Sequence, residues 1–174
     1  MTISTEHYYV MGTGSRSMRT DPNAQTIYKH LLTKVELLAE QHPNLWMISG
    51  MAEGWDEAIA KAAIALGIPF TAAIPNDTYG AYYWGRNSVT GKDRINDWYA
   101  IIGQAREVVI VCNSIKVDGV HSNFIRNQWM VDHSDHALVY APQSSGTRDA
   151  LARLVQAQES YEVYPFILQE ELAL

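Results

Sequence analysis

One stretch of this chain constrains its fold more than any other, Leu45 to Leu66. An apolar run, Leu45-Trp46-Met47-Ile48, leads into Ser49-Gly50-Met51-Ala52-Glu53-Gly54-Trp55-Asp56. A segment with apolar residues at Ile59, Ala62, Ala63 and Leu66 follows. A short apolar run, a glycine-containing turn and a 3.6-residue period describe a strand, a loop and a helix. In an open α/β sheet such a loop lies at the carboxyl end of its strand, where ligands bind. The helix start offers free backbone N–H groups and a positive dipole end to an anion. A tight turn that only joins strand to helix accounts for the same residues, and the stretch alone does not choose between the two.

The rest of the chain repeats the alternation. Tyr8–Met11 reads as a first strand, followed by the loop Gly12-Thr13-Gly14-Ser15-Arg16. Asp21-Pro22 is a helix-start signal, with Asp as N-cap and Pro at the first helical position. Ile27, Leu31, Val35 and Leu38 mark the apolar face of that helix, which reaches about Gln41. Ile68–Ile74 is a third strand, and Pro75–Asp93 is aromatic and turn-rich with weak periodicity. A helix over Ile95–Ile102, a strand over Glu107–Cys112 and a loop over Asn113–Gly119 come next. Val120–Ser134 is a helix, Ala137–Tyr140 a fifth strand, Pro142–Gly146 a loop and Thr147–Gln158 a helix. Tyr161–Leu168 is a candidate last strand. Strands alternating with helices predict an α/β three-layer fold: a mostly parallel sheet of at least five strands flanked by helices.

Composition agrees with one domain over 1–174: of 174 residues, 47% are hydrophobic and 18% charged. The net charge of -6 and pI near 5.4 argue against a nucleic-acid partner, which needs a basic footprint. A few arginines and backbone dipoles can still oppose that global sign around a small anion. The single cysteine, Cys112, sits in the apolar run Val108–Cys112 and reads as strand core, so no disulfide framework exists. Met1–His7 is polar without an apolar signal core, and no apolar run approaches membrane-spanning length. The expectation is a cytoplasmic protein with no membrane contact.

Three loops carry candidate chemistry besides Ser49–Asp56. In Gly12–Arg16, glycines after a first strand let backbone approach a phosphate and Ser15 offers a hydroxyl. A third fingerprint Gly and a Lys-Ser/Thr pair are both missing. On the helix over Val120–Ser134, Arg126 and Met130 share a face, and Arg126 can hold a phosphate or carboxylate bidentately. It can equally pair with a carboxylate such as Asp132. In Pro142–Thr147, Ser144, Ser145 and Thr147 either cap the following helix or help bind an anion. Asp132, His133, Asp135 and His136 are metal-ligand types without a zinc or iron spacing, so no metal and no cofactor is expected. Tyr79–Trp84, with Trp98 and Tyr99, is either a stacking wall for a base or core packing.

In order, Gly-Thr-Gly-Ser-Arg, Ser-Gly-Met-Ala-Glu-Gly-Trp-Asp, Arg-Asn-x-x-Met-Val-Asp and Ser-Gly-Thr resemble the SLOG superfamily of Rossmann-like proteins, and its YpsA-like branch in particular. The resemblance covers roughly Tyr8 to Gln158. It implies a nucleotide or nucleotide-derived ligand at the strand ends, bound by a sensor or a sequestering protein. The implied ligand-binding residues are Gly12, Thr13, Gly14, Ser15 and Arg16 on one side, with Ser49, Gly50 and Glu53 between. Arg126, Asn127, Ser144, Ser145, Gly146 and Thr147 form the other side. The related LOG phosphoribohydrolases release a base from a nucleoside monophosphate with an Arg and Pro-Gly-Gly-x-Gly-Thr-x-x-Glu. Here Arg126, Pro142, Gly146 and Thr147 match, Gln143 and Ser144 replace glycines, and Ala150 stands where the Glu belongs. The resemblance therefore leans away from an enzyme. An N-glycoside hydrolase or transferase acting on nucleotides is the alternative, with Glu53 and Asp56 as its catalytic candidates and Asp149 behind them. A module that has lost its ligand is a third reading, motivated by Gln143 and Ser144. DprA, a relative that binds single-stranded DNA, compares poorly with the acidic charge. A homo-oligomer is also expected, from the resemblance and from apolar residues outside clean core periodicity such as Trp84 and Trp98.

Overall fold

The computed structural model describes residues 6–141 and 143–166. Its main sheet has six parallel strands: β1 (Tyr8–Gly14), β2 (Leu45–Ser49), β3 (Phe70–Ile74), β4 (Glu107–Ile110), β7 (His136–Tyr140) and β8 (Ser160–Val163). A small antiparallel hairpin, β5 (Lys116–Val117) with β6 (Val120–His121), takes up the end of the region read as a loop and the first two residues read as helix. The described residues also form five α-helices: α1 (Ala24–Gln41), α2 (Trp55–Leu66), α3 (Ile95–Ile102), α4 (Ser122–Asp132) and α5 (Ser145–Gln156). This is the predicted α/β, Rossmann-like three-layer fold.

Alternation along β1 builds two cores. Val10 faces one, with Leu31 and Val35 of α1, Ile59 and Ala63 of α2 and Trp98 of α3. Met11 faces the other, with Met130 of α4 and Leu154 of α5. Successive side chains on a strand point to opposite faces, so a strand covered by helices on both sides reads as continuous apolar sequence. The central strands do so: β3 and β7 are buried at every position.

The sheet order is β4-β3-β2-β1-β7-β8. The chain builds outward from β1 to β4, then returns to add β7 and β8 on β1's other side. The order therefore reverses between β1 and β7, where a doubly wound sheet opens a crevice at its carboxyl edge.

Three local readings change. Gly12, Thr13 and Gly14 belong to β1 rather than to a loop, because β7 pairs with them through Leu138, Val139 and Tyr140. α1 starts at Ala24, not Pro22, since Asp21 Oδ1 accepts from the N–H of Asn23 (2.7 Å) in a turn before the helix. Trp84 and Trp98 are core, not contact surface. Trp84 is fully buried and its Nε1 donates to the carbonyl of Met51 (2.8 Å), while Trp98 packs edge-on against it. They give no support to a homo-oligomer. Exposed apolar side chains lie instead on the edge strand and hairpin, at Val108, Ile110, Val117 and Val120. Among the described residues no helix is long and apolar enough to cross a membrane. The far end of the strand read as Tyr161–Leu168, and Pro142, lie outside the described residues.

Candidate functional site

The crevice between β1 and β7 is a cavity of about 420 Å³. Gly12–Arg16 at the end of β1 and Ser144–Thr147 at the start of α5 line it from opposite sides. Two of the loops expected at this edge thus meet. The third, Ser49–Gly54, contributes only Ala52, with Asp56 just beyond it; Ser49, Gly50 and Glu53 do not line the cavity.

The reason lies in how this loop is folded. Met51, buried and with a left-handed φ of 59°, is fixed through its N–H to Ser49 Oγ (3.1 Å) and through Trp84. Ser49 Oγ in turn donates to the carbonyl of Asp56 (2.7 Å), so its hydroxyl holds the loop shut on α2. Gly54 has φ 83°, and a Cβ there would meet the carbonyl oxygens of Ser15 and Arg16 at 2.7 Å. Only glycine serves at such a φ and such a close backbone approach. Gly14 is also forced, since a Cβ would lie 2.5 Å from Trp55. These glycines thus pack the two loops together.

Glu53, named above as ligand-binding and as catalytic, is wholly buried away from the cavity. Its Oε1 accepts from Arg16 Nη2 (2.9 Å) and the N–H of Val89 (2.9 Å), and its Oε2 from Arg94 Nη1 (2.9 Å) and Ser88 Oγ (2.7 Å). Arg94 also donates to Glu57 and Asp97. Burial alone would raise the pKa of Glu57, but Arg94 and Lys61 hold it below the usual carboxylate value. This ion network anchors the turn-rich segment 75–94, including a short π-helix (Ala81–Arg86), to the start of α2. Arg16 is largely committed to it as well, also donating to the carbonyls of Tyr83 (3.1 Å) and Asn87 (2.9 Å).

Arg126 behaves otherwise. It is buried on α4 and makes no ion pair among the described residues; Asp132, exposed, accepts from Gln128 (2.7 Å) instead. Its Nη1 donates to the carbonyl of Gly50 and its Nε to Asn127 Oδ1 (3.2 Å), and its guanidinium stands 5.8 Å from the Tyr79 ring centre. Nη2 makes no hydrogen bond among the described residues. Asn127 Nδ2 donates to the carbonyl of Gly146 (3.2 Å) and to Asp149 Oδ2 (3.0 Å), which ties α4 to the first turn of α5. There Ser144 Oγ donates to Thr147 Oγ1 (2.6 Å) and caps no backbone N–H. The positive end of α5 is thus left open toward the cavity.

Asp56 is the only carboxylate lining this cavity among the described residues. Its Oδ2 accepts from the N–H of Ala52 (3.3 Å), and its Oδ1 has no partner. Burial pushes its pKa up from 3.8 to about 6, with the charge of Arg126 opposing the rise. Tyr79, also buried against the cavity, is pushed up to about 12 by burial. Asp149 takes no part, being held by Arg153 (2.8 and 3.1 Å), and Ala150 is buried inside α5.

Sequence reasoning passed over Asn123 and Phe124, which line the cavity with Arg126, Asn127 and Met130. A signal was present: positions 123, 126, 127 and 130 have the three- and four-residue spacing of one helix face. Of the aromatic stretch Tyr79–Trp84, read as a stacking wall or core packing, Tyr79 and Tyr83 line the cavity and Trp84 is core. The metal-ligand types disperse. His136 meets Ser160 and Glu162, His133 stacks on Trp129, and Asp135 accepts from the N–H of Tyr9.

No family model and no curated protein matches this chain. Solved structures do. DNA processing protein A from Streptococcus pneumoniae superposes with a TM-score of 0.63 at 17% identity over 96% of this chain and 53% of its own, so this chain spans about half of that protein. The corresponding protein from Helicobacter pylori, which binds single-stranded DNA, gives 0.61 at 18% identity over 95% of this chain and 71% of its own. The molybdenum cofactor binding protein from Rippkaea orientalis gives 0.53 at 13% identity, over 98% and 84%. None of them singles out the YpsA-like branch. At such identities the likeness is one of fold: a parallel α/β, Rossmann-like sheet flanked by helices.

Proposed function

We propose that this protein binds a nucleotide or nucleotide-derived small molecule in the cavity between β1 and β7, as a sensor or a sequestering protein. The observation that carries this reading is the convergence of two unspent anion-binding features on one crevice: the uncapped start of α5 and the free Nη2 of Arg126. Backbone N–H groups at a helix start and a guanidinium together suit a phosphate. Tyr79, Tyr83 and Phe124 supply an aromatic side to the same cavity, as a base requires. The DNA bound by the Helicobacter relative is a weaker guide, since a net charge of -6 opposes a phosphodiester chain.

Turnover is the second reading, and Asp56 would have to carry it, because Glu53 is saturated by four donors and Asp149 is paired with Arg153. Calorimetry with AMP and ADP-ribose tests the binding reading. Losing a charge-assisted hydrogen bond of about 1.5–3 kcal/mol weakens binding to Arg126→Ala by about tenfold or more. Equal affinity of wild type and variant removes Arg126 from the site. Release of free base from nucleoside monophosphates by the wild type, abolished in Asp56→Asn, would replace binding by catalysis.

A further inference from the structure

Three buried side-chain polar atoms lack a partner among the described residues: Arg16 Nε, Asp56 Oδ1 and Asn123 Oδ1. All three belong to residues lining the one cavity between β1 and β7. Buried polar groups are almost always satisfied, so orphans that collect around a single cavity point to a ligand that completes them. Asp56 is the costliest, since it is a carboxylate only 5% exposed with one bare oxygen.

The surroundings of Asp56 narrow what it can accept. The other charged and titratable groups lining the cavity are Arg126 from α4, Arg16 from the end of β1, Tyr79 and Tyr83 from the segment after β3, and His121 from β6. Two guanidiniums disfavour a cationic partner, ammonium or metal ion, and no group of three metal-ligating side chains exists among the described residues. A neutral hydroxyl fits: it donates to a carboxylate and brings no charge against the arginines.

We propose that Asp56 is a specificity-determining residue of this cavity, whose Oδ1 accepts a hydrogen bond from a pentose hydroxyl, so that the site selects a ribonucleotide over the same nucleotide stripped of both ribose hydroxyls. This rests on the nucleotide reading above and adds the sugar to it. Ionisation of Asp56 strengthens the acceptor, and with a pKa raised to about 6 by burial the selectivity falls as the solution is made more acidic.

The test is calorimetry at neutral pH with AMP, 2′,3′-dideoxy-AMP and ribose 5-phosphate, on wild type, Asp56→Asn and Asp56→Ala, each checked for folding by circular dichroism. Wild type is expected to prefer AMP over the dideoxy analogue by about tenfold or more, the size of a charge-assisted hydrogen bond. That preference should shrink at pH 5. In Asp56→Ala both compounds still bind through the phosphate, with a ratio near one. Asp56→Asn keeps a neutral acceptor and serves if the alanine variant does not fold; it should show a weakened preference that no longer changes between pH 5 and pH 8. Equal wild-type affinity for AMP and its dideoxy analogue overturns the proposal while leaving nucleotide binding in place. Full discrimination in Asp56→Ala, or in Asp56→Asn with an unchanged pH dependence, also overturns it. Failure of both AMP and ribose 5-phosphate to bind wild type overturns the nucleotide reading and this proposal together.

Discussion

Glu53, in the loop before α2, and Asp56, in the first turn of that helix, stand three residues apart, and both are buried, yet their environments are opposite. Glu53 receives hydrogen bonds from Arg16, Arg94, Ser88 and Val89 and faces away from the cavity. Asp56 receives one long hydrogen bond from Ala52, keeps a bare oxygen and lines the cavity. A saturated carboxylate organises structure, because every neighbour that meets it gives up its own freedom to do so. An unsatisfied one destabilises the fold unless something outside the chain completes it. The contrast separates the loop carboxylate that holds the protein together from the helix-start carboxylate that is available to a ligand.

The largest expected effect tests the structural half. Glu53→Ala leaves Arg16 and Arg94 partly unpaired and releases the segment 75–94, and breaking such a buried pair costs about 3–5 kcal/mol. Urea unfolding measures it; a loss below about 1 kcal/mol, the worth of an exposed pair, would break the comparison.

Asp56→Asn should act in the other direction. The pKa of Asp56 rises from 3.8 in its ordinary state to about 6 in the fold. Between those values the folded chain binds its proton more tightly than the unfolded chain. Stability from this residue is therefore present below about pH 4, declines as pH rises to about 6 and stays low above. Some two units at about 1.4 kcal/mol each make the cost about 3 kcal/mol. The asparagine variant should gain up to that amount at pH 7 and little near pH 4, in unfolding curves recorded across the range. A gain that does not vary with pH would mean that Asp56 is not the buried titrating group.

The smallest effect sharpens the boundary of the ion network. Lys61 Nζ meets Glu57 Oε1 at 2.9 Å, but the lysine is 45% exposed. Lys61→Ala should change stability by less than about 1 kcal/mol, measured in the same way, because Arg94 keeps Glu57 paired. A loss as large as that of Glu53→Ala would extend the buried network to the surface.

Much of the fold could be read before any coordinates. Apolar runs at Leu45–Ile48 and Ile68–Ile74, and the spacing of Ile27, Leu31, Val35 and Leu38, are local records of which face is buried, and burial is what makes the period. Errors gathered where a distant partner decides. Gly12–Gly14 became strand because β7, far along the chain, pairs with them. Lys116–His121 became a hairpin although its strands are two residues each, too short to leave a period. Trp84 and Trp98 looked surplus to the helical and strand patterns because a π-helix and an irregular connection bury them.

The candidate site divides in the same way. Chain order alone determined that Gly12–Arg16 and Ser144–Thr147 would reach one edge, since parallel strands put all their carboxyl ends on one side. It also determined that Arg126 and Met130 would share a face, since the helical period is local. Which of Glu53 and Asp56 would be spent and which left bare was settled only by tertiary structure. The donors that saturate Glu53 come from positions 16, 88, 89 and 94, and no sequence period links them to it. Asp56 stays unsatisfied while Arg126, whose charge acts on it, donates its Nη1 to the carbonyl of Gly50. Hydrophobic patterning is written residue by residue along the chain, whereas the satisfaction of a buried charge depends on where every donor ends up in space.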